Sequence, residues 1–231
     1  MNKIDVLDKG KGYVRHIDTF GDDLMVVNSA RASYDNESYN MTEKDERLIK
    51  FLAREKHMSP FRAPRIQFEI KAPLFVARQW WRYVVDASHI ESGSPWSEAS
   101  RRYIRDKIEF YLPEGNEWRS APANSKQGSG ECLSELEGYG LTTALFKHYF
   151  ESEQLYEEAI DMGVAPEQAR LFLPAYGLYV KWRYTVSLES VCHMINQRTA
   201  KDAQYEFQEY AKAVKEFVLS EFPISAKELI V

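Results

Sequence analysis

Arginines, a serine and a carboxylate set among aromatic rings mark the chemistry of this chain. Residues 79–103 read Q-W-W-R-Y-V-V-D-A-S-H-I-E-S-G-S-P-W-S-E-A-S-R-R-Y. The run opens with Gln79 and Arg82 and closes with Glu98, Ser100, Arg101, Arg102 and Tyr103. A small-residue loop centred on Ser92, Gly93, Ser94 and Pro95 lies between them. Arginine pairs bidentately with phosphate oxygens, a serine hydroxyl donates to them, and a glutamate accepts from a sugar hydroxyl. The set suits a phosphorylated ligand that carries a ring. The bland alternative is a surface charge cluster beside a buried strand end.

Two more arginines join the list. Arg170 stands in A-R-L-F-L-P, and Arg198 closes a stretch in which Ser187, Ser190, His193, Met194 and Gln197 recur at helical spacing. An arginine among apolar neighbours needs an anion, either a ligand or an internal Asp or Glu. No P-loop, dinucleotide glycine fingerprint, H-E-x-x-H, C-x-x-C or G-x-S-x-G occurs. The five histidines, His16, His57, His89, His148 and His193, lack metal-ligand spacing, so no metal is expected.

The elements that must position these residues follow from hydrophobic periodicity. Residues 3–7 and 12–18 read as short strands around a glycine turn, and 22–32 as a helix. Thr42 and Asp45 form a capping box ahead of a helix through Leu52 that breaks at His57 to Pro60. Ile66, Phe68 and Ile70 alternate with polar residues, which predicts a half-buried strand. A helix follows Pro73. Residues 103–112 alternate as a further strand, and 113–131 form a loop most flexible at K-Q-G-S-G. Helices are expected over 141–162, 166–173, 187–198 and 201–222, with a strand over 182–186. The pattern predicts one α+β domain over 1–231, a mainly antiparallel sheet flanked by helices.

Composition narrows the class. The chain has 231 residues, 44% hydrophobic and 28% charged, which is ordinary for a globular protein. A net charge of −5 argues against a general nucleic-acid partner, because phosphate-backbone affinity needs a basic surface. No apolar run approaches a membrane span, and no signal peptide is read at the N-terminus. Cys132 and Cys192 are expected as free thiols in a reducing compartment, hence a cytoplasmic protein.

Six motifs in order, S-A-R-A-S-Y, H-M-S-P-F, K-A-P-L-F-V-A-R-Q-W, S-E-A-S-R-R-Y, A-R-L-F-L-P and N-Q-R-T-A-K-D-A-Q-Y-E, give the chain a family. It resembles the flavin-dependent thymidylate synthases over nearly its whole length. That family's signature is R-H-R, a short spacer, then S-x-N-E-x-S-x-R-Y. Arg82 matches the first Arg, and Glu98, Ser100, Arg102 and Tyr103 match the second half. The family's His and second Arg fall on Tyr83 and Val84, its Asn on Ser97, and residues 86–96 form a longer spacer. Flavin-contacting Asn and Arg positions fall on Ser187 and Glu189, and another Asn on His193. Arg62 stands where the family has Glu.

The resemblance implies reductive methylation of dUMP at C5, with FAD as cofactor and methylenetetrahydrofolate and NADPH as co-substrates. It implies that Gln79, Glu98, Ser100, Arg101, Arg102, Arg170 and Arg198 bind the nucleotide. Arg198 would stabilise developing charge, and Ser100 would hold phosphate rather than attack. Ser33, His57, Ser59, Arg82, Tyr83, Val84, Glu98, Ser187 and His193 would neighbour the flavin, although His57 equally suits a helix-end cap. It also implies a homotetramer. The alternatives are a sibling enzyme acting on UMP or installing a hydroxymethyl group, and a non-catalytic nucleotide-binding paralogue.

Overall fold

The computed structural model describes residues 2–32, 36–91, 108–122 and 128–231. Ser33, Glu98, Ser100, Arg101, Arg102 and Tyr103 lie outside the described residues.

Its centre is the pairing of β3 (Arg65–Pro73) with β5 (Tyr179–Ser187), antiparallel from Arg65↔Ser187 to Pro73↔Tyr179. Ile66, Phe68, Ile70 and Ala72 alternate onto one face, and Val180, Trp182, Tyr184 and Val186 lie opposite them, all buried. The other face carries Gln67, Glu69, Arg183 and Thr185. This is the period-two pattern of a sheet with one apolar face. β1 (Lys3–Asp5) and β2 (Tyr13–Phe20) extend the sheet past β3, and β4 (Ala87–Glu91) pairs with the far edge of β5. The order is β1-β2-β3-β5-β4, and every pairing is antiparallel.

On the polar face, Glu69 is nearly buried. It accepts from Tyr13 Oη at 2.9 Å and Arg15 Nε at 3.1 Å, with Arg183 at 3.3 Å. Burial pushes its pKa up, but the bonds from Arg15 and Tyr13 and the two guanidinium charges outweigh it, so the net direction is down.

Eight α-helices complete the described residues: α1 (Asp23–Arg31), α2 (Glu43–Arg54), α3 (Leu74–Trp80), α4 (Glu135–Asp161), α5 (Pro166–Ala169), α6 (Leu188–Arg198), α7 (Tyr205–Glu221) and α8 (Ser225–Leu229). Phe207, Tyr210, Val214 and Phe217 of α7 are buried in the cluster that holds the apolar face of the sheet. The expected box at α2 forms: Asp45 accepts from Thr42 N at 3.0 Å and Thr42 Oγ1 at 2.6 Å. Asp45 also holds Arg31 of α1 at 2.6 Å. No helix among the described residues is long and apolar enough to cross a membrane.

Three elements depart from the sequence reading. The spacer read as a loop over 86–96 contains a strand, β4, from Ala87 to Glu91. His89 turns inward there, and its ring stacks on Tyr184 at 4.8 Å. A polar residue at the inward position hid the alternation. Within the strand expected over 103–112, the described residues make one isolated bridge, Phe110↔Leu178. β4 occupies the edge of β5 from Trp182 onward, and the described residues 109–111 meet the chain at the start of β5. The loop expected over 113–131 is followed by a helix that begins at Glu135, six residues before the expected 141. A capping box starts it: Ser134 Oγ accepts from Glu137 N, and Glu137 accepts from Ser134 N at 3.2 Å. Gly138 sits where a Cβ would lie 1.8 Å from Gly115 O, so the first turns of α4 press on the 115–117 turn.

Candidate functional site

α3 is short because it begins at the end of β3 and stops once Trp80 is seated. Trp80 is fully buried, with ring centroids 5.0 Å from Phe207, 5.5 Å from Trp182, 5.7 Å from Tyr184 and 6.0 Å from Tyr210. That anchor fixes its neighbours. Gln79 precedes it, and Arg82 and Tyr83 follow on a turn in which Tyr83 N donates to Trp80 O at 2.9 Å. α6 starts under the cap of Ser187 and ends at Arg198, and α7 starts seven residues later. The site lies where the ends of α3 and α6 meet the start of α7.

Arg198 is held on two sides. Its Nε donates to Tyr83 Oη at 2.7 Å, and its NH1 donates to Gln79 Oε1 at 3.3 Å. The guanidinium carbon lies 5.3 Å from the centroid of the Tyr83 ring and 5.0 Å from that of Phe207. Planar contacts of this kind pin the fork and still leave donors for a ligand. Beside it is a cavity of about 490 Å³ lined by Gln79, Arg82, Gln197, Arg198, Asp202 and Gln204, among others. Its size and polar lining suit a small polar molecule.

The structure brings Gln79, Arg82 and Arg198 to that cavity, with Tyr83 behind Arg198. His193, exposed on α6, lies 6.3 Å ring to ring from Tyr83. It stands one turn from Glu189 and one from Gln197, so these three form a stripe about 12 Å long on one face of α6. Arg62 docks at the start of the stripe, donating through Nε and NH2 to the Glu189 carboxylate, with Asp86 at 3.7 Å. His57 and Ser59 are exposed at the turn that carries Arg62, and Val84 is exposed on the turn after Arg82. The His57 ring lies edge-on to Phe51 at 6.1 Å.

Ser187 and Arg170 are not on this surface. Ser187 is fully buried, and its hydroxyl accepts from Ser190 N at 3.4 Å. Its position at the start of α6 makes it a helix cap, so its side chain is not open to a cofactor. Arg170 opens the 3-10 turn Arg170–Phe172, between Ala169 and Leu173 of a second, smaller core with Tyr156, and is not among the residues lining the cavity. Among the described residues, no group of three or more His, Cys, Asp or Glu could hold a metal. Both cysteines are free, and burial pushes the Cys192 thiol well up.

Sequence reasoning missed Gln204, Glu206 and Arg119. Gln204 Oε1 accepts from Gln79 Nε2, Gln204 Nε2 donates to Glu206 Oε2 at 3.0 Å, and Arg119 donates to Glu206 Oε1. The signal was in A-Q-Y-E. A helix read from 201 put these residues along its surface, whereas the helix starts at Tyr205 and leaves Gln204 at its mouth.

Arg62 and Glu189, both departures from the pattern that the resemblance implies, meet in the folded chain. Arg62→Glu alone sets a carboxylate against Glu189 and Asp86 and is expected to lower the melting temperature slightly. Adding Glu189→Arg is expected to restore it, as read by thermal unfolding of the single and double variants. A double variant no better than the single would show the pair to be incidental.

The family model "Thymidylate synthase complementing protein" matches residues 16–224. A flavin-dependent thymidylate synthase of Thermus thermophilus is 37% identical over 222 residues, covering 96% of this chain and 76% of that protein. The enzyme of the same name from Thermotoga neapolitana is 34% identical, covering 96% and 91%. A UMP/dUMP methylase, PolB, from Streptomyces cacaoi, in a crystal structure with 5-bromo-dUMP, superposes with a TM-score of 0.80 over 97% of this chain and 96% of that one. At 24% identity it establishes the shared fold. With the motifs, the fold and these matches in agreement, the chain belongs to the thymidylate synthase complementing protein family, that of the flavin-dependent thymidylate synthases.

Proposed function

We propose that this protein converts dUMP, methylenetetrahydrofolate, NADPH and a proton into dTMP, tetrahydrofolate and NADP+. The observation that carries the reading is the doubly held Arg198 at the polar cavity. Its donors suit the carbonyl oxygens of a uracil ring, where negative charge grows as C5 becomes a nucleophile. Donors fixed in advance stabilise such charge without reorganising. Gln79 suits the rest of the nucleotide, together with Glu98, Ser100, Arg101 and Arg102. Arg170 joins the site only across a subunit boundary.

The face that would receive FAD fits it in donor chemistry. His57, Ser59, Arg82 and His193 are all exposed, His193 on the α6 stripe and His57 and Ser59 at the turn whose Arg62 docks on Glu189, and hydroxyl, imidazole and guanidinium groups suit ribose and pyrophosphate. Bound FAD supplies the hydride path from NADPH that takes the transferred carbon to a methyl group. The protein orients the pyrimidine beside it and holds Arg198 in place.

The homotetramer is part of this reading. Leu136, Tyr139, Phe146, Phe150, Leu171 and Tyr176 are large, apolar and exposed, chiefly along α4. A run of that kind on a globular enzyme marks a protein interface. Covering it with further copies would close an active site that is open in one chain.

Flavin absorbance tests the reading. Purified protein incubated with FAD and desalted is expected to stay yellow, and its band is expected to shift on adding dUMP. UMP added in place of dUMP measures selection at the 2' position. Protein that stays colourless would favour a nucleotide-binding module without redox chemistry.

A further inference from the structure

Three bonds join Arg198 at the cavity to a buried carboxylate, which Arg119 holds from its other side. Glu206 is 7% exposed. Its Oε1 accepts from Arg119, and its Oε2 accepts from Gln204 Nε2 at 3.0 Å. Gln204 Oε1 accepts from Gln79 Nε2, and Gln79 Oε1 accepts from Arg198 NH1 at 3.3 Å. A carboxylate only accepts and a guanidinium only donates, whereas an amide does both. The two ends therefore dictate the direction of every bond between them. Glu206 turns the Gln204 –NH2 inward. Gln204 then offers its oxygen to Gln79, which turns its own –NH2 to Gln204 and its oxygen to Arg198. Flipping either amide would set oxygen against oxygen, or –NH2 against –NH2.

We propose that Glu206 is a positioning residue that sets the specificity of the nucleotide site. Through Gln204 and Gln79 it fixes the Arg198 guanidinium, so that the edge facing the pyrimidine is a rim of donors, the remaining hydrogens of Arg198. Such a rim accepts a pyrimidine with a 4-oxo group and rejects one with a 4-amino group, which would bring a donor against donors. The proposal rests on the nucleotide reading above. The Arg119 pair holds Glu206 as the acceptor from which the order starts. Glu206→Gln leaves one oxygen for two donors, Arg119 and Gln204, so the direction is no longer imposed. Gln204→Met breaks the chain in the middle and leaves the Glu206–Arg119 pair intact.

The experiment is equilibrium binding of dUMP and dCMP to flavin-loaded wild type and to both variants, with melting temperatures alongside. Wild type is expected to favour dUMP, and each variant to narrow the dUMP:dCMP ratio about tenfold, the scale of one hydrogen bond to a charged group. A merely structural role would lower the melting point and leave the ratio alone. If Glu206→Gln does not fold, Gln204→Met decides. Unchanged ratios, or a wild type that does not discriminate, would overturn this proposal and leave the nucleotide reading standing. A wild type that binds neither nucleotide would overturn both.

Discussion

Replacing Arg198 with alanine is expected to cut dTMP formation by about 10²–10³-fold, the cost of losing one well-placed donor to developing charge. Flavin absorbance should survive, because the Arg198 guanidinium bonds Tyr83 and Gln79 and not His57, Ser59 or His193, which are proposed to meet FAD. The loss should appear in kcat as well as kcat/KM, since the donors act most strongly in the transition state. Arg198→Lys is expected to rescue little. An ammonium is a point charge, and it cannot hold Tyr83 Oη and Gln79 Oε1 while also facing a planar ring. Turnover retained in Arg198→Ala would show that charge is stabilised elsewhere.

The second large effect falls on stability. Trp80→Ala empties the centre of an aromatic cluster formed with Trp182, Tyr184, Phe207 and Tyr210. A cavity of that size costs about 3–5 kcal/mol. For a chain of this length the melting temperature should fall by roughly 10 °C. Nucleotide binding should fall with it, because Gln79 and Tyr83 flank Trp80 and hold Arg198. Trp81→Ala is the control: Trp81 is only partly buried against the same core, so its loss should cost less. Equal costs for the two would mean that the site does not hang on this anchor.

Local chemistry made much of this fold legible. The alternation of Ile66, Phe68 and Ile70 revealed β3, and Thr42 with Asp45 revealed the start of α2. Both signals lie within a few residues of what they form. β4 was hidden because it depends on pairing with β5, far along the chain, and because His89 takes an inward position. The early start of α4 was written in Ser134 and Glu137, but the helix was expected only from 141, beyond the glycines at 138 and 140. The same contrast governs the site. Gln79, Arg82 and Arg198 were visible as chemistry and do meet at one cavity. Ser187 looked like a ligand group and is a buried cap, since the start of a helix uses a hydroxyl in its own way. Arg62 and Glu189 each looked like a departure from the family pattern. Their contact, 127 positions apart in sequence, exists only in the folded chain.

The most direct test of the central claim is conversion of dUMP to dTMP by the FAD-loaded protein with methylenetetrahydrofolate and NADPH, with product identified by mass. A gain of one methyl group on dUMP is expected, dependent on all three reagents and lost in Arg198→Ala. Protein that binds FAD and dUMP yet forms no dTMP under these conditions would contradict it.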